Sequence, residues 1–380
     1  MQKKIQTNRV VHIMSGFGGG ISSFIKNKAE ALVDQAIRFD VITFDEVGAE
    51  FRRSIEKTGG QIFRVSNPKE AGFKQFFSQV NTIMKDLPKD VLVHSHVNGR
   101  IALPFYLVAK KNRLSRFVIH AHTASPLSSP NSKQDKIKRQ LNKRMSKEKV
   151  SCGIKASENI FGKHAVEQGR IVHIPNSIAH ERFLKESDPI QLKKEILGVT
   201  DNRLIIGHVG RFKTVKNHPF MLDIIEELKN RGIEFLWFFA GDGLLKEEIE
   251  NQVKERNLED VVQFLGRRDD IENLFHMMDV VVLPSFDEGL PTVVIEAQAS
   301  STPCILSHTI TKECDLNLSM VKFLPIDHVD QWANEIETFK PMPVKKEDIE
   351  DKLISSKFTN ETSAQLYVQF LNKEIQSYEI

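Results

Sequence analysis

The sequence predicts an α/β protein made of two doubly wound, Rossmann-like parallel sheets that face one cleft. Three observations point there. Short apolar runs rich in Val, Ile and Phe alternate with longer amphipathic stretches, the pattern of βαβ units. The rhythm runs twice, with a seam just after "IVHIPNS" at residues 171–177. Residues of unusual chemistry cluster directly after the apolar runs, and ligands of such sheets bind beyond the carboxyl ends of the strands.

In the first half, strands are expected at Val10–Met14, Phe39–Phe44, Gln61–Val65, Val91–His96, Phe117–His122, Val150–Ile154 and Ile171–Ile174. In the second they are expected at Leu204–Val209, Phe235–Ala240, Val261–Leu265, Val280–Leu283, Cys304–Leu306 and Val321–Leu324, with helices such as Pro219–Asn230 and Leu244–Arg256 between them. The expected domains are 1–176 and 177–358, followed by a final helix within 359–380 that packs back on the first domain.

Composition narrows the function classes. With 380 residues, 40% hydrophobic and 27% charged, the chain can fill two cores, and a formal charge of +3 gives no argument for nucleic acid. Cys152, Cys304 and Cys314 show no CxxC spacing and read as reduced thiols without assigned chemistry. The basic start "MQKKIQTNRVVHIM" contains too short an apolar run for a signal peptide, and no stretch reaches membrane-spanning length. A cytoplasmic protein is expected.

The loops carry the candidate chemistry. "MSGFGGGISSF" sets Gly16, Gly18, Gly19 and Gly20 between a strand and a helix. The cluster suits either a tight turn or the approach of an anion or sugar to helix-start amides, and it does not match the G-x-G-x-x-G fingerprint of dinucleotide sites well. "GHVGRFKTVKNHP" puts Arg211 and Lys216 in the loop after the first strand of the second half. There a planar fork and a point charge can grip one diphosphate. In "FFAGDGLLKEEI", Gly241-Asp242-Gly243 reads as a tight turn with Asp242 capping the next helix.

The most specific stretch is "PSFDEGLPTVVIEAQASSTP", residues 284–303. Glu288 lies in the loop, Gly289 and Leu290 lead to Pro291 at a helix start, and Thr292 and Glu296 share a helix face by their spacing of four. Loop amides and the helix start suit phosphate oxygens, and a carboxylate there suits sugar or ribose hydroxyls. Glu296 sits amid Val293, Val294, Ile295 and Ala297, where a charge needs a polar partner that the segment itself does not supply.

The order of "VGRF…K", "FAGDG", "FLGRRDDI", "MMDVVVLPSFDEGLPTVVIEAQAS" and "ILSHTITKE" resembles family-4 retaining glycosyltransferases of GT-B fold along nearly the whole chain. The last piece resembles the branch that builds bacterial capsule and exopolysaccharide. The resemblance implies that Arg211 and Lys216 bind the donor diphosphate, Glu288 contacts the donor sugar and Glu296 holds the ribose hydroxyls. It also implies that Gly266, Arg267 and Arg268 border the nucleobase through backbone groups. In the first domain, His122 of "VIHAHTA" matches the histidine near donor sugar and acceptor, in preference to His120, and Gly19 and Gly20 match the loop that touches the phosphates. Two stretches depart from the family pattern, Ala299-Ser300-Ser301-Thr302-Pro303 and Asn176-Ser177, and both alter turns rather than charged groups.

The expected reaction is transfer of a sugar from a nucleotide sugar, UDP-linked, to a hydroxyl of a glycan or lipid-linked acceptor, with retained anomeric configuration. Side chains and amides meet the leaving-group charge, so neither a metal nor a cofactor is expected. A catalytically silent nucleotide-sugar-binding partner subunit is the alternative, and a dinucleotide oxidoreductase rests on the glycine loop alone. Residues 133–149 hold eight Lys or Arg against two acids, or 8 − 2 = +6, with Ile137, Leu141 and Met145 at four-residue intervals. Three readings stay open for it: docking on an anionic membrane at the inner face of the cell, packing on the sheet, or an acceptor loop beginning at "SPLSSPNS".

Overall fold

The computed structural model describes residues 8–122 and 132–375, so most of "SPLSSPNS" lies outside the described residues. The chain forms two compact units, residues 1–177 together with 357–380, and residues 178–356.

The first unit is built on seven strands: β1 Arg9–Ile13, β2 Arg38–Thr43, β3 Ile62–Arg64, β4 Leu92–Ser95, β5 Arg116–Ala121, β6 Lys149–Ser151 and β7 Val172–His173. All pair in parallel in the order β3-β2-β1-β4-β5-β6-β7. The second unit has six: β8 Leu204–Val209, β9 Phe235–Ala240, β10 Val262–Gly266, β11 Val280–Leu283, β12 Cys304–Ser307 and β13 Val321–Leu324. They too are parallel, in the order β10-β9-β8-β11-β12-β13. Strand order reverses between β1 and β4 in one sheet and between β8 and β11 in the other. These are the switch points where helices leave to opposite faces and a crevice opens at the carboxyl ends.

Every expected strand is present, with edges displaced by a residue or two. β6 is shorter than expected because Cys152-Gly153 ends it and Ile154 already begins the helix Ile154–Phe161.

The cores explain the strand composition. β1, β4 and β5 are buried on both faces, and helix Gly20–Ala31 adds Phe24, Ile25 and Ala29 to one of them. Helix Asn360–Leu371 belongs to the first unit and contributes Tyr367, Phe370 and Leu371 to the same cluster. Arg116 secures the end of this helix by donating to the carbonyls of Phe370 (2.8 Å) and Leu371 (2.9 Å), and it pairs with Glu148 at 2.6 Å. A cation at a helix carboxyl end complements the helix dipole and satisfies carbonyls that have no intrahelical partner. In the second unit Trp237, Phe239, Phe212 and Trp332 fill one cluster with helix His218–Asn230. Each such fully buried ring contributes roughly 1.5–3 kcal/mol.

The basic segment is a helix over Lys133–Met145, and its apolar stripe does not hold. Ile137 is 49% exposed while Met145 is 4% exposed, and the inward face carries Asp135 and Asn142. Steps of four residues advance about 40° beyond a full turn, so a stripe at that spacing winds off the face. Asn142 satisfies itself by accepting from the Gly99 amide (2.7 Å) and donating to the Ile160 carbonyl (3.0 Å). All three cysteines are buried free thiols.

Candidate active site

In the second unit the site assembles around the β8/β11 switch point. β8 ends at Val209 and delivers Gly210 and Arg211 into a loop that closes on the turn Thr214–Lys216. A neighbouring loop holds it: the Phe212 amide donates to the Asp242 carbonyl (3.0 Å) and the Leu245 amide to the Phe212 carbonyl (3.3 Å). At Gly241, φ is 147° and a Cβ would stand 1.9 Å from the Gly210 carbonyl oxygen; at Gly243, φ is 155° and a Cβ would meet the Phe212 carbonyl oxygen at 2.5 Å. Only glycine permits that approach. The Gly-Asp-Gly turn is therefore the buttress of the Arg211 loop. Asp242 does not cap the next helix, which starts three residues beyond the turn at Lys246; its carboxylate accepts from the adjacent Gly243 amide at 2.8 Å.

Across the switch point, Lys216 Nζ lies 2.7 Å from Glu288 Oε1, with the side chains 14% and 17% exposed. Glu288 is thus committed to Lys216 rather than to the helix that follows it. That helix, Thr292–Ala299, begins after Pro291 with no side-chain cap and no acid in its first turn. Its leading amides and positive dipole end are left for another acceptor. Arg211 has no carboxylate partner among the described residues. Its charge and that of Lys216 reinforce burial in lowering the pKa of Lys213. Three cations and an uncapped helix start, with one carboxylate paired to Lys216, give this loop cluster the charge and free amides that suit an anion.

Glu296 sits one turn into that helix. Burial pushes its carboxyl up to about 7, with Arg182 opposing and Glu272 reinforcing the rise. Arg182 is the nearby cation that the segment 284–303 does not contain. It is largely spoken for, pairing with Glu272 at 2.6 Å and donating to the Asp269 carbonyl at 3.0 Å. Neither residue is legible beside Glu296 in the sequence, because only the fold brings helix His180–Phe183 and helix Ile271–Met277 to it. A carboxyl so poised can donate to or accept from a hydroxyl pair.

Gly266 ends β10 with φ at 65°, and its carbonyl accepts from the Gly241 amide at 2.8 Å. Arg268 is held by Asp270 through two bonds of 2.9 and 2.6 Å, so its guanidinium is occupied, and Arg267 is also engaged.

In the first unit, Gly18 and Gly19 have φ of 90° and 84°, and Gly20 opens its helix without a side-chain cap. Ser22 pins the turn by accepting from the Gly18 amide (2.9 Å) and donating to the Gly19 carbonyl (3.0 Å). A Cβ on Gly20 would meet Asn176 Nδ2 at 3.3 Å. Burial lowers the His122 pKa to about 3 and the neighbouring Asn176 amide opposes it, while His122 Nδ1 and Asn176 Oδ1 each stand buried without a hydrogen-bond partner. His122 belongs to a cluster that sequence reasoning did not assemble. His12 and His96 bridge Nδ1 to Nε2 at 2.9 Å, and His96 and His122 bridge likewise at 2.8 Å. The visible signal was the H-x-H alternation in "VHSHV" and "IHAHT", which puts both histidines of each pair on one sheet face.

Residues 189–351 match the family described as glycosyl transferases group 1. The putative glycosyltransferase EpsF of Bacillus subtilis is 34% identical over 337 residues, covering 86% of each chain. A UDP-Gal:alpha-D-GlcNAc-diphosphoundecaprenol alpha-1,3-galactosyltransferase of Escherichia coli is 30% identical over 175 residues, 45% of each. Among solved structures, Anabaena Alr3699/HepE in complex with UDP-glucose superposes with a TM-score of 0.71 at 18% identity, covering 96% of this chain and 97% of that one. The two parallel sheets, the loops behind β8 and β11, and these likenesses agree: the chain belongs to the group 1 glycosyl transferases and has their GT-B fold.

Proposed function

We propose that this glycosyltransferase moves a sugar from a UDP-sugar to a hydroxyl of a glycan or lipid-linked acceptor in polysaccharide biosynthesis, with retained configuration and no metal. One observation carries the reading: Arg211 and the Lys216–Glu288 pair lie at the β8/β11 switch point beside an uncapped helix start. Leaving-group charge on a diphosphate grows as the glycosidic bond breaks, and preorganised cations and amides stabilise it without reorganising. Glu288 is close enough to Lys216 to orient it and to receive a sugar hydroxyl. Glu296 takes the ribose hydroxyls, Gly289 to Thr292 offer backbone to the phosphates, and Gly266 to Arg268 border the base. In the first unit, Gly19 and Gly20 offer amides to phosphate and His122 a ring nitrogen to a sugar hydroxyl. The UDP donor is supported by the names of the Escherichia coli relative and the Anabaena structure, and the polymer context by the lipid-diphosphate acceptor in the former.

The test is a thermal-shift panel of UDP-, GDP- and ADP-sugars against NAD, followed by NMR of the product anomer. UDP-sugars should stabilise the protein, and the new bond should keep the donor configuration. Arg211→Ala and Glu296→Ala should each lower transfer by about 10²–10³ with circular dichroism unchanged, the scale of a lost transition-state contact. Near-wild-type rates in either would sink the donor assignment, and stabilisation by NAD alone would sink the class.

Membrane docking is a second reading, favoured by one surface. Helix Lys133–Met145 exposes Lys133, Lys136, Lys143 and Arg144 beside Ile137, and its neighbour Gly99–Lys111 exposes Ile101 (53%) and Leu107 (46%). Basic residues with apolar ones between them suit an anionic lipid surface, at about 1 kcal/mol per cation. Among the described residues no helix is long and apolar enough to cross a membrane. Sedimentation with anionic vesicles should exceed that with neutral ones and fall with salt; equal recovery removes the membrane from the account.

A further inference from the structure

Five histidines, His12, His94, His96, His120 and His122, line one face of β1, β4 and β5 in the first unit, around its own switch point. Phe24 stands edge-on or tilted against four of them at centroid distances of 4.7 to 6.3 Å, and His12 stacks on Phe39 at 5.1 Å. The bridging nitrogens are 2.9 and 2.8 Å apart. Two nitrogens on one tetrahedral zinc would sit about 3.3 Å apart, so the contacts are those of proton bridges rather than of an empty cation site.

Three neutral imidazoles in such a chain have only two arrangements. His96 has one N–H and one lone pair, so it accepts from one neighbour and donates to the other. If the chain runs from His122 toward His12, His12 ends with an N–H on Nε2. That nitrogen is buried without a partner, and an orphaned buried donor is the costlier fault. If it runs from His12 toward His122, Nε2 of His12 keeps only a lone pair, and His122 carries its proton on Nδ1. His122 Nδ1 and Asn176 Oδ1 are both buried without a partner, so here, unlike at His12, the leftover donor has an unsatisfied acceptor beside it to close on.

We propose that His96, itself oriented by His12, is a positioning residue that locks His122 into the tautomer protonated on Nδ1. His122 is then a hydrogen-bond donor at the carboxyl edge of β5, to Asn176 or to a sugar oxygen that takes its place, and not a base. Burial keeps the chain uncharged at neutral pH, with His12 and His122 both lowered to about 3. The consequence for transfer rests on the donor-contact role given to His122 above; the tautomer itself does not.

The experiment is two-dimensional ¹⁵N NMR of the histidine rings in the full chain, with and without UDP-sugar. Wild type should show a pyrrole-like Nδ1 and a pyridine-like Nε2 for His122. His96→Phe, which keeps the ring volume but offers no donor, should move the His122 Nε2 signal to that of a pyridine-like nitrogen without a hydrogen bond. It should also lower kcat about tenfold, the worth of one hydrogen bond, with little change in donor KM. His96→Asn places an amide donor where Nδ1 stood and should restore both signals and rate. A wild-type His122 protonated on Nε2 overturns the proposal whatever the variants do, and so does a His96→Phe spectrum unchanged at His122. A correct tautomer with no dependence of rate on His96 would leave the lock standing and remove only the donor-contact role of His122.

Discussion

The two switch points share a topology and hold opposite chemistry. Between β8 and β11 the fold gathers charge: Arg211, Lys213 and Lys216 against Glu288. Between β1 and β4 it gathers neutral imidazoles, with His12, His94, His96, His120 and His122 all depressed first by burial, and all but His122 then by neighbouring histidines. A parallel sheet therefore fixes where a ligand can meet the chain, and the side chains at that place decide what it can meet. Half-buried loop cations suit phosphate. A buried hydrogen-bonded chain that cannot ionise suits the directional recognition of hydroxyls.

Acid is the strongest way to break the comparison. In the first unit six histidines, the five above and His173, are lowered from 6.5. Below 6.5 the unfolded chain binds protons that the folded unit refuses, so stability is lost as pH falls, each histidine contributing up to about 1.4 kcal/mol per pH unit. His208, His218 and His276 act the same way in the second unit, but Glu296 acts oppositely. Hydrogen exchange, corrected for intrinsic rates, should therefore show β1, β4 and β5 losing protection between pH 7.5 and 5.5 before β8, β9 and β11 do. Equal losses would erase the distinction.

A smaller effect separates two glycines of positive φ. Gly241→Ala should cost about 3 kcal/mol in urea unfolding, because its Cβ meets a backbone oxygen rather than a movable side chain. Gly59→Ala, at φ 75° with open space around it, should cost only about 1 kcal/mol. Equal costs would deny that Gly241 buttresses the Arg211 loop.

Smaller again is the effect at Glu296. Its carboxyl is raised from 4.5 to about 7, so the folded state binds the proton more tightly between those values and loses that advantage as pH rises through them. Glu296→Gln should stabilise the ligand-free protein at pH 8 by about 1–2 kcal/mol, after allowance for partial exposure, and the gain should vanish near pH 5. A pH-independent gain would mean that the carboxyl is not desolvated.

Much of this was legible in the sequence, and the failures share a cause. Most strands are buried on both faces and read as continuous apolar runs, and the half-buried β3, β10 and β13 still carry apolar residues between loops, so all thirteen could be seen. Arg211, Lys216 and Glu288 could be picked out because charges directly behind such runs are conspicuous. What could not be read is pairing between distant segments. Gly241 and Gly243 show a turn in sequence, but their pressure on Gly210 and Phe212 is tertiary. Arg182 reaches Glu296 from over a hundred residues away. The H-x-H pairs show a shared face, yet linking His12 to His96 and His122 needs the strand order β1-β4-β5. Ile137 was misplaced because spacing alone does not say which way a helix is turned.

The central claim is that the cations behind β8 hold a diphosphate without a metal. Calorimetric titration of UDP in excess EDTA tests it most directly, on wild type and on Arg211→Ala with circular dichroism as the fold control. The account predicts binding by wild type in EDTA and a loss of at least about tenfold in Arg211→Ala, the value of a charge-assisted hydrogen bond to phosphate. Undiminished UDP affinity in Arg211→Ala, or binding that appears only when magnesium is restored, would contradict it.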